Sequence, residues 1–291
     1  MIPPEILRQV RRIEIYTNRI VNETMSGRYE SVFKGHGIEF EEVREYQPGD
    51  EIRSIDWNVT ARTGRPHIKR FVEERELTVM FLVDLSRSMA FGSVRQFKHR
   101  VATELCAVLA FSAIKNHDKV GLLLFTDRVE RFIPPQKGSK HVLRVVRDVL
   151  SFEPTGHGTN VSAALDYLAK VLHRKAVVFL LSDFFCDDLR TTLTIANRRH
   201  DVIAVHVIDP RQETLPPVGW IRWEDLEEGR ELVLNSSHAT VRQGYEQWAT
   251  RHRQQVKEMT RAAGVDLVEV RTDQSYLDPL LRFFRMRSLR R

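Results

Sequence analysis

The sequence predicts an α/β fold: a doubly wound, mostly parallel sheet with helices on both faces, preceded by an N-terminal segment of short strands and loops. Two observations carry this. From Leu77 onward short apolar runs alternate with amphipathic stretches. The runs themselves ("LTVMFLVD", "KVGLLLFTD", "KAVVFLLSD", "DVIAVHVID") are continuously apolar rather than alternating, which is the pattern of strands covered on both faces.

The elements follow in order. "LTVMFLVD" is a buried strand. "FKHRVATELCAVLAFSAI" places Phe97, Val101, Leu105, Val108 and Leu109 at helical spacing. "KVGLLLFTD" is a second strand, with "VERFIPP" following at hairpin distance. "HVLRVVRDVL" is a helix presenting Val142, Leu143, Val146, Val149 and Leu150, and "VSAALDYLAKVL" another presenting Val161, Leu165, Leu168 and Leu172. "KAVVFLLSD" and "DVIAVHVID" are strands separated by "DLRTTLTIANRRH". A hairpin excursion at about 212–236 precedes the long helix "YEQWATRHRQQVKEMTRAAG", closed by Gly264 as a C-cap, and "VDLVEV" is the last strand. Three segments result: an N-terminal one over 1–76 packed on the core, the α/β domain over 77–273, and a basic tail helix over 274–291. In the first, Asp50, Arg53, Asp56 and Arg62 are expected to form a buried ion-pair network anchored by Tyr46 and Trp57.

Composition narrows the function classes. With 42% hydrophobic and 29% charged residues in 291, the chain has the make-up of an ordinary globular protein. No apolar run nears the roughly 18–20 residues that span a bilayer. The N-terminus intersperses Glu5, Arg8, Arg11, Arg12 and Glu14 among apolar residues, so it reads as an amphipathic helix rather than a secretory leader. Two cysteines, Cys106 and Cys186, build neither a disulfide framework nor a four-cysteine zinc site, and a cytoplasmic location is expected. Cys106 falls on the apolar face of its helix and is expected in the core. Of the net charge of +6, the stretch from Gln274 onward contributes five arginines against Asp278. A solvated, frayed tail helix is the expectation there. Nucleic acid is not an expected partner, and membrane-surface contact through the tail is a second reading behind it.

In doubly wound folds ligands bind outside the carboxyl ends of the strands. Asp84, Ser86 and Ser88 follow the first core strand, Thr159 lies in "TGHGTN" before a helix, and Asp183 closes "VVFLLSD". All five are small oxygen donors. Mg²⁺ takes about six oxygens in near-octahedral geometry and keeps several waters, so one or two carboxylates with a few hydroxyls suit Mg²⁺, or Mn²⁺ in its place. Each residue alone also has a structural explanation: Ser86 or Ser88 as a helix cap, Thr159 or Asn160 as the cap of the helix from Val161, Asp183 as a strand terminator. Their joint occurrence at one sheet end favours a site. His36 and His157, each within Gly-His-Gly, are not expected as ligands of so hard a cation.

"FLVDLSRSM", "GTN" and "LLSDF" resemble, in order and spacing, the three metal-site motifs of von Willebrand factor A domains. The resemblance implies a metal-ion-dependent adhesion site in which Ser86, Ser88 and Thr159 coordinate through hydroxyls. Asp84 and Asp183 would act directly or through water, leaving one position for an acidic side chain of a partner. Upstream, "KGHGIEFEEVREYQPGDEIRSIDWNVTARTGRPHIKRFVEERE" is similar to the signature of the bacterial DUF58 family. Members are generally paired with AAA+ ATPases of the MoxR type and regarded as chaperone-like or assembly factors.

The leading expectation is therefore a non-catalytic, metal-dependent protein-binding adaptor, working with a MoxR-type AAA+ ATPase or a client handed to one. The alternative is a Mg²⁺-dependent phosphoesterase, since a metal at strand ends also suits phosphoryl transfer. Ser86 stands where a phosphatase of the haloacid dehalogenase type would place a second acid. No phosphate-binding G-x-x-x-x-G-K-[ST] loop and no H-E-x-x-H occur.

Overall fold

A computed structural model describes residues 4–22, 29, 39–72, 76–93, 96–224 and 231–290. The chain divides into two compact units: Phe33–Leu77, and Met1–Val32 together with Thr78–Arg291. Helix α1, Pro4–Ile20, belongs to the larger unit.

In the smaller unit, strand β1, Glu39–Glu45, pairs antiparallel with β2, His67–Val72. Between them lies helix α2, Trp57–Thr63, capped by Asp56, whose carboxylate accepts the N–H groups of Asn58 and Val59. Gly64 ends it at φ +72°, a conformation that costs a side-chain-bearing residue most. Asp50 pairs through both oxygens with Arg44, at 2.9 and 2.7 Å, and also accepts the Gln47 N–H at 2.8 Å. These donors hold its carboxyl below the usual range, the Arg44 hydrogen bonds first. Of the residues expected in the network, Asp50 engages Arg44, Asp56 caps α2, Arg62 is exposed, and the Arg53 side chain lies outside the described residues. Trp57, expected as an apolar anchor, is 67% exposed. Asp56→Ala is expected to lower the stability of this unit by about 0.5–2 kcal/mol, the usual worth of an N-cap, measurable as a shift in its urea midpoint; an unchanged midpoint would contradict the capping account.

The larger unit is the predicted doubly wound α/β fold. Its strands are β3 (Thr78–Asp84), β4 (Lys119–Phe125), β5 (Val129–Gln136), β6 (Val177–Ser182), β7 (Asp201–Ile208) and β10 (Asp266–Arg271), in sheet order β10-β7-β6-β3-β4-β5. All neighbours are parallel except β5, which turns back antiparallel on β4. Its longer helices, besides α1, are α3 (Lys98–Lys115), α4 (Ser139–Ser151), α5 (Val161–Val171), α6 (Arg190–Arg199), α7 (Ala239–Ala262) and α8 (Leu277–Leu289). Alternation along each strand sorts the core into two layers. Met80, Leu82, Val178 and Leu180 pack with Val161, Leu165, Leu168, Leu193, Val256 and Met259 of α5, α6 and α7. The intervening Val79, Phe81 and Phe179 point the other way, where α3 and α4 cover the sheet and α1 covers those helices in turn. Phe81 and Phe179 stack at 5.6 Å between ring centres. Cys106 is fully buried in α3, and burial pushes its thiol pKa up. The excursion is a two-stranded hairpin, β8 (Trp220–Glu224) and β9 (Glu231–Asn235).

Two expectations fail here. Helix α3 begins at Lys98, so Phe97 precedes it and is 53% exposed. Helix α8 is no solvated tail: Leu280, Phe283 and Phe284 are buried, and Phe284 meets Tyr29 edge-on at 6.4 Å. Arg287 pairs with Asp201 and with Asp266, and Arg290 reaches Asp266 at 3.1 Å. Much of the tail's basic charge is therefore spent within the fold; Arg282 and Arg285 face solvent.

Candidate metal-binding site

The sheet order reverses at β3: the chain first adds β4 on one side, then returns to lay β6 on the other. A crevice opens where the two following connections part. Asp84 ends β3, and Ser182 ends β6 beside it with Asp183 directly after, since Val83 and Leu181 are in register. Register and strand polarity thus bring two of the predicted motifs together.

The side chains form one buried cluster. Asp84 is fully buried; its Oδ1 accepts the Ser86 N–H at 2.8 Å and its Oδ2 the Ser182 hydroxyl at 2.6 Å. A short 3₁₀ turn, Arg87–Ala90, carries the chain on and sets the Ser86 and Ser88 hydroxyls 3.0 Å apart. Ser86 stands before that turn but makes no cap hydrogen bond, so its hydroxyl is not spent on helix capping. Ser88 also hydrogen-bonds Asp183.

The third segment is tied to this cluster by backbone. The Arg87 N–H donates to the His157 carbonyl at 3.1 Å, and the Asn160 N–H to the Thr126 carbonyl, past β4, at 2.8 Å. Thr159 lies half-buried between these ties, and Asn160 is the residue that caps α5, through the Ala163 N–H. Glu130 accepts the N–H groups of Thr155 and Gly156. Gly156 is required by packing: a Cβ there would lie 1.9 Å from Asp127 Oδ1 and 2.1 Å from Thr126 Oγ1. His157 is exposed beside Arg87. His36 lies outside the described residues.

Lys98 is the residue that spacing did not reveal. It is fully buried, and its Nζ lies 2.5 Å from Asp183 Oδ2. A signal was available: positions 98, 101, 105 and 109 share one helical face, so a lysine sits on the apolar stripe of α3. Buried lysines are almost always paired. Ser182 was missed as well, although a serine closing six buried residues in a row is conspicuous.

Electrostatics divides the two carboxylates. Burial works to raise the Asp183 pKa, but the Lys98 charge and hydrogen bond, with the Ser88 hydroxyl and the Phe185 N–H, outweigh it and hold the carboxyl below the usual range. Asp84 goes the other way, raised by burial first and then by the negative charge of Asp183, against the hydrogen bonds from Ser182 and Ser86. No basic side chain pairs with Asp84 among the described residues. A buried carboxylate with only neutral donors is under-compensated.

These features fit a small divalent cation. Adjacent ligands of an octahedral ion bound at 2.0–2.1 Å lie about 3 Å apart, the separation of the Ser86 and Ser88 hydroxyls, and the under-compensated charge of Asp84 is beside them. At the rim, Phe185 stacks on His252 at 4.1 Å and on Trp248 at 5.7 Å. His252 Nε2 meets the Asp183 carbonyl at 3.1 Å. Behind it, burial lowers the pKa of His206 to about 3, His252 adding to the effect.

Comparison with known proteins agrees with this architecture. An uncharacterized protein of Mycobacterium tuberculosis, Rv1480, is 30% identical over 286 residues, spanning 96% of this chain and 89% of that one. The crystal structure of the conserved hypothetical protein BatB from Bacteroides thetaiotaomicron shares the fold with a TM-score of 0.50 at 16% identity, covering 74% of this chain and all of that one. A shorter stretch of 98 residues is 35% identical to the magnesium-chelatase 67 kDa subunit of Chlorobaculum tepidum, 34% of this chain and 14% of that one. The pattern of the family described as "Protein of unknown function DUF58" matches residues 42–255, and on that match, with the nearly end-to-end mycobacterial likeness, the chain belongs to the DUF58 family.

Proposed function

We propose that this protein is a metal-dependent protein-binding adaptor rather than an enzyme. The observation that carries the reading is the convergence of Asp84, Ser86, Ser88 and Asp183 at the switch point of the sheet, rich in hydroxyls and with one carboxylate uncompensated. The Ser86 and Ser88 hydroxyls, with Thr159, would hold Mg²⁺ or Mn²⁺, and Asp84 and Asp183 would act directly or through water. The bound ion would supply an electrophilic centre. Hydroxyl ligands bring no charge of their own, so an acidic side chain from a partner completes the site. The motif likeness to von Willebrand factor A domains supports this. The family resemblance supports a MoxR-type AAA+ ATPase, or its client, as that partner, in a reducing cytoplasm where Cys106 and Cys186 stay thiols.

The test is retention of the organism's own MoxR-type ATPase on the immobilised protein, with Mg²⁺ and with EDTA. Wild type should retain it only with Mg²⁺, and Asp84→Ala and Ser86→Ala/Ser88→Ala should lose it while keeping their circular dichroism. Retention indifferent to metal and to these substitutions sinks the metal bridge. Metal-dependent turnover of a phosphoester, lost in Asp84→Ala, would make the protein an enzyme instead.

A further inference from the structure

Lys98 gives the site a property that its oxygen donors alone would lack. It is the first residue of α3, with its N–H donating to the Phe91 carbonyl at 3.0 Å, which ties the start of α3 to the end of the turn that carries Ser88. Gly92 and Phe97 also approach closely: a Cβ on Gly92 would lie 2.5 Å from the Phe97 Cα. These two contacts fix where Lys98 starts, and its side chain runs inward to Asp183 with no exposed surface. The Phe185 ring, 5.8 Å from the ammonium, closes it off further. Such a cation has no freedom to leave for solvent.

Charge bookkeeping over the buried groups gives the consequence. Asp84 and Asp183 with Lys98 leave one negative charge. A divalent ion held there leaves one positive charge, buried, which a single carboxylate neutralises. Without the lysine, the same two carboxylates would neutralise the ion completely, and an incoming acid would bring an excess negative charge.

We propose that Lys98 is a built-in counter-cation that makes metal and acidic ligand bind together: it weakens the site for the ion alone and leaves the loaded site one charge short, to be filled by a carboxylate. This rests on the metal-site reading above. Coupling of this kind is reciprocal, so the ion raises affinity for the acid by the factor that the acid raises affinity for the ion. Removing a unit charge a few ångströms from a divalent cation changes its affinity about tenfold or more even at the dielectric of water, and by more where solvent is excluded.

The experiment follows free Mn²⁺ by electron paramagnetic resonance as it is titrated into the full chain, with acetate as the simplest carboxylate and chloride at equal ionic strength as its control. Acetate should tighten Mn²⁺ binding to wild type several-fold. Lys98→Met should bind Mn²⁺ at least tenfold more tightly without acetate and gain less than twofold from it. Lys98→Gln, which can still hydrogen-bond Asp183, makes the same comparison if the methionine variant does not fold. Wild type whose Mn²⁺ affinity ignores acetate, or folded Lys98 variants that bind Mn²⁺ no better than wild type, overturn the proposal. If that happens while Asp84→Asn still abolishes Mn²⁺ binding, the metal site stands and only the role of Lys98 falls. If neither wild type nor any Lys98 variant takes up Mn²⁺ at millimolar concentration, both fall together.

Discussion

A chain ended at Asp273 should fail to fold stably, although it loses a segment whose composition suggests a dispensable basic tail. The truncation removes Leu280, Phe283 and Phe284, all buried. It also uncovers Tyr29, which is 1% exposed with Phe284 against it. Burying three such side chains stabilises by roughly 6 kcal/mol at about 2 kcal/mol each, comparable with the whole stability of a domain, about 5–15 kcal/mol. The loss of Arg287 compounds this, because Asp201 and Asp266 at the ends of β7 and β10 would lose their cation. The truncated chain is expected to aggregate, or to melt far below the full chain in a circular-dichroism scan, with no cooperative transition near the original. Arg282→Ala/Arg285→Ala supplies the contrast: both side chains face solvent, and surface substitutions of this kind stay within about 0.5 kcal/mol. A truncated chain melting within a few degrees of the full one would show that α8 is an appendage after all.

That case also shows what the sequence made legible. Strands that run apolar throughout announce burial on both faces, which is why β3, β4, β6 and β7 and the sheet they form could be read directly. The candidate site followed from the same logic, because a parallel sheet gathers the residues after its strands at one end, and Asp84, Ser86, Ser88 and Asp183 need only that rule to meet. The tail defeated the reading because its arginines dominate the composition while its burial depends on three residues, Leu280, Phe283 and Phe284, whose spacing carries less weight in a short helix than the charge around them. Asp50 and Arg44 show another limit. Which acid pairs with which base is decided by turn geometry at Gln47–Asp50, and nothing in the order of residues distinguishes Arg44 from Arg53 or Arg62 beforehand. Lys98 was hidden for a related reason. Its place on the apolar stripe of α3 is visible, but its partner lies 85 positions away, and only the pairing of β3 with β6 brings the two together.

The pair so formed should respond asymmetrically to substitution. Asp183→Ala leaves the Lys98 ammonium with no exposed surface and no carboxylate. Breaking one side of a buried ion pair costs about 3–5 kcal/mol, most of it the penalty of the stranded charge. In EDTA, urea denaturation of Asp183→Ala should show a loss of that size, and Mg²⁺ should not recover it, because a second cation beside an unpaired lysine adds repulsion. Lys98→Met also loses the pair, but it leaves a carboxylate that a divalent ion can satisfy, so Mg²⁺ should recover a large part of its deficit. Replacing both groups, as Lys98→Met/Asp183→Leu, should return the stability in EDTA to near that of wild type, since a buried pair exchanged for apolar residues of similar volume is often neutral. That double variant should also no longer hold Mn²⁺ as wild type does. The pattern separates two roles that the single substitutions confuse: stability belongs to the balance of charge around Asp183, whereas ion binding needs its oxygens. A loss below about 1 kcal/mol in Asp183→Ala would mean that Lys98 finds other solvation. Equal rescue of both single variants by Mg²⁺ would mean that the ion does not compete with Lys98 for the charge of Asp183.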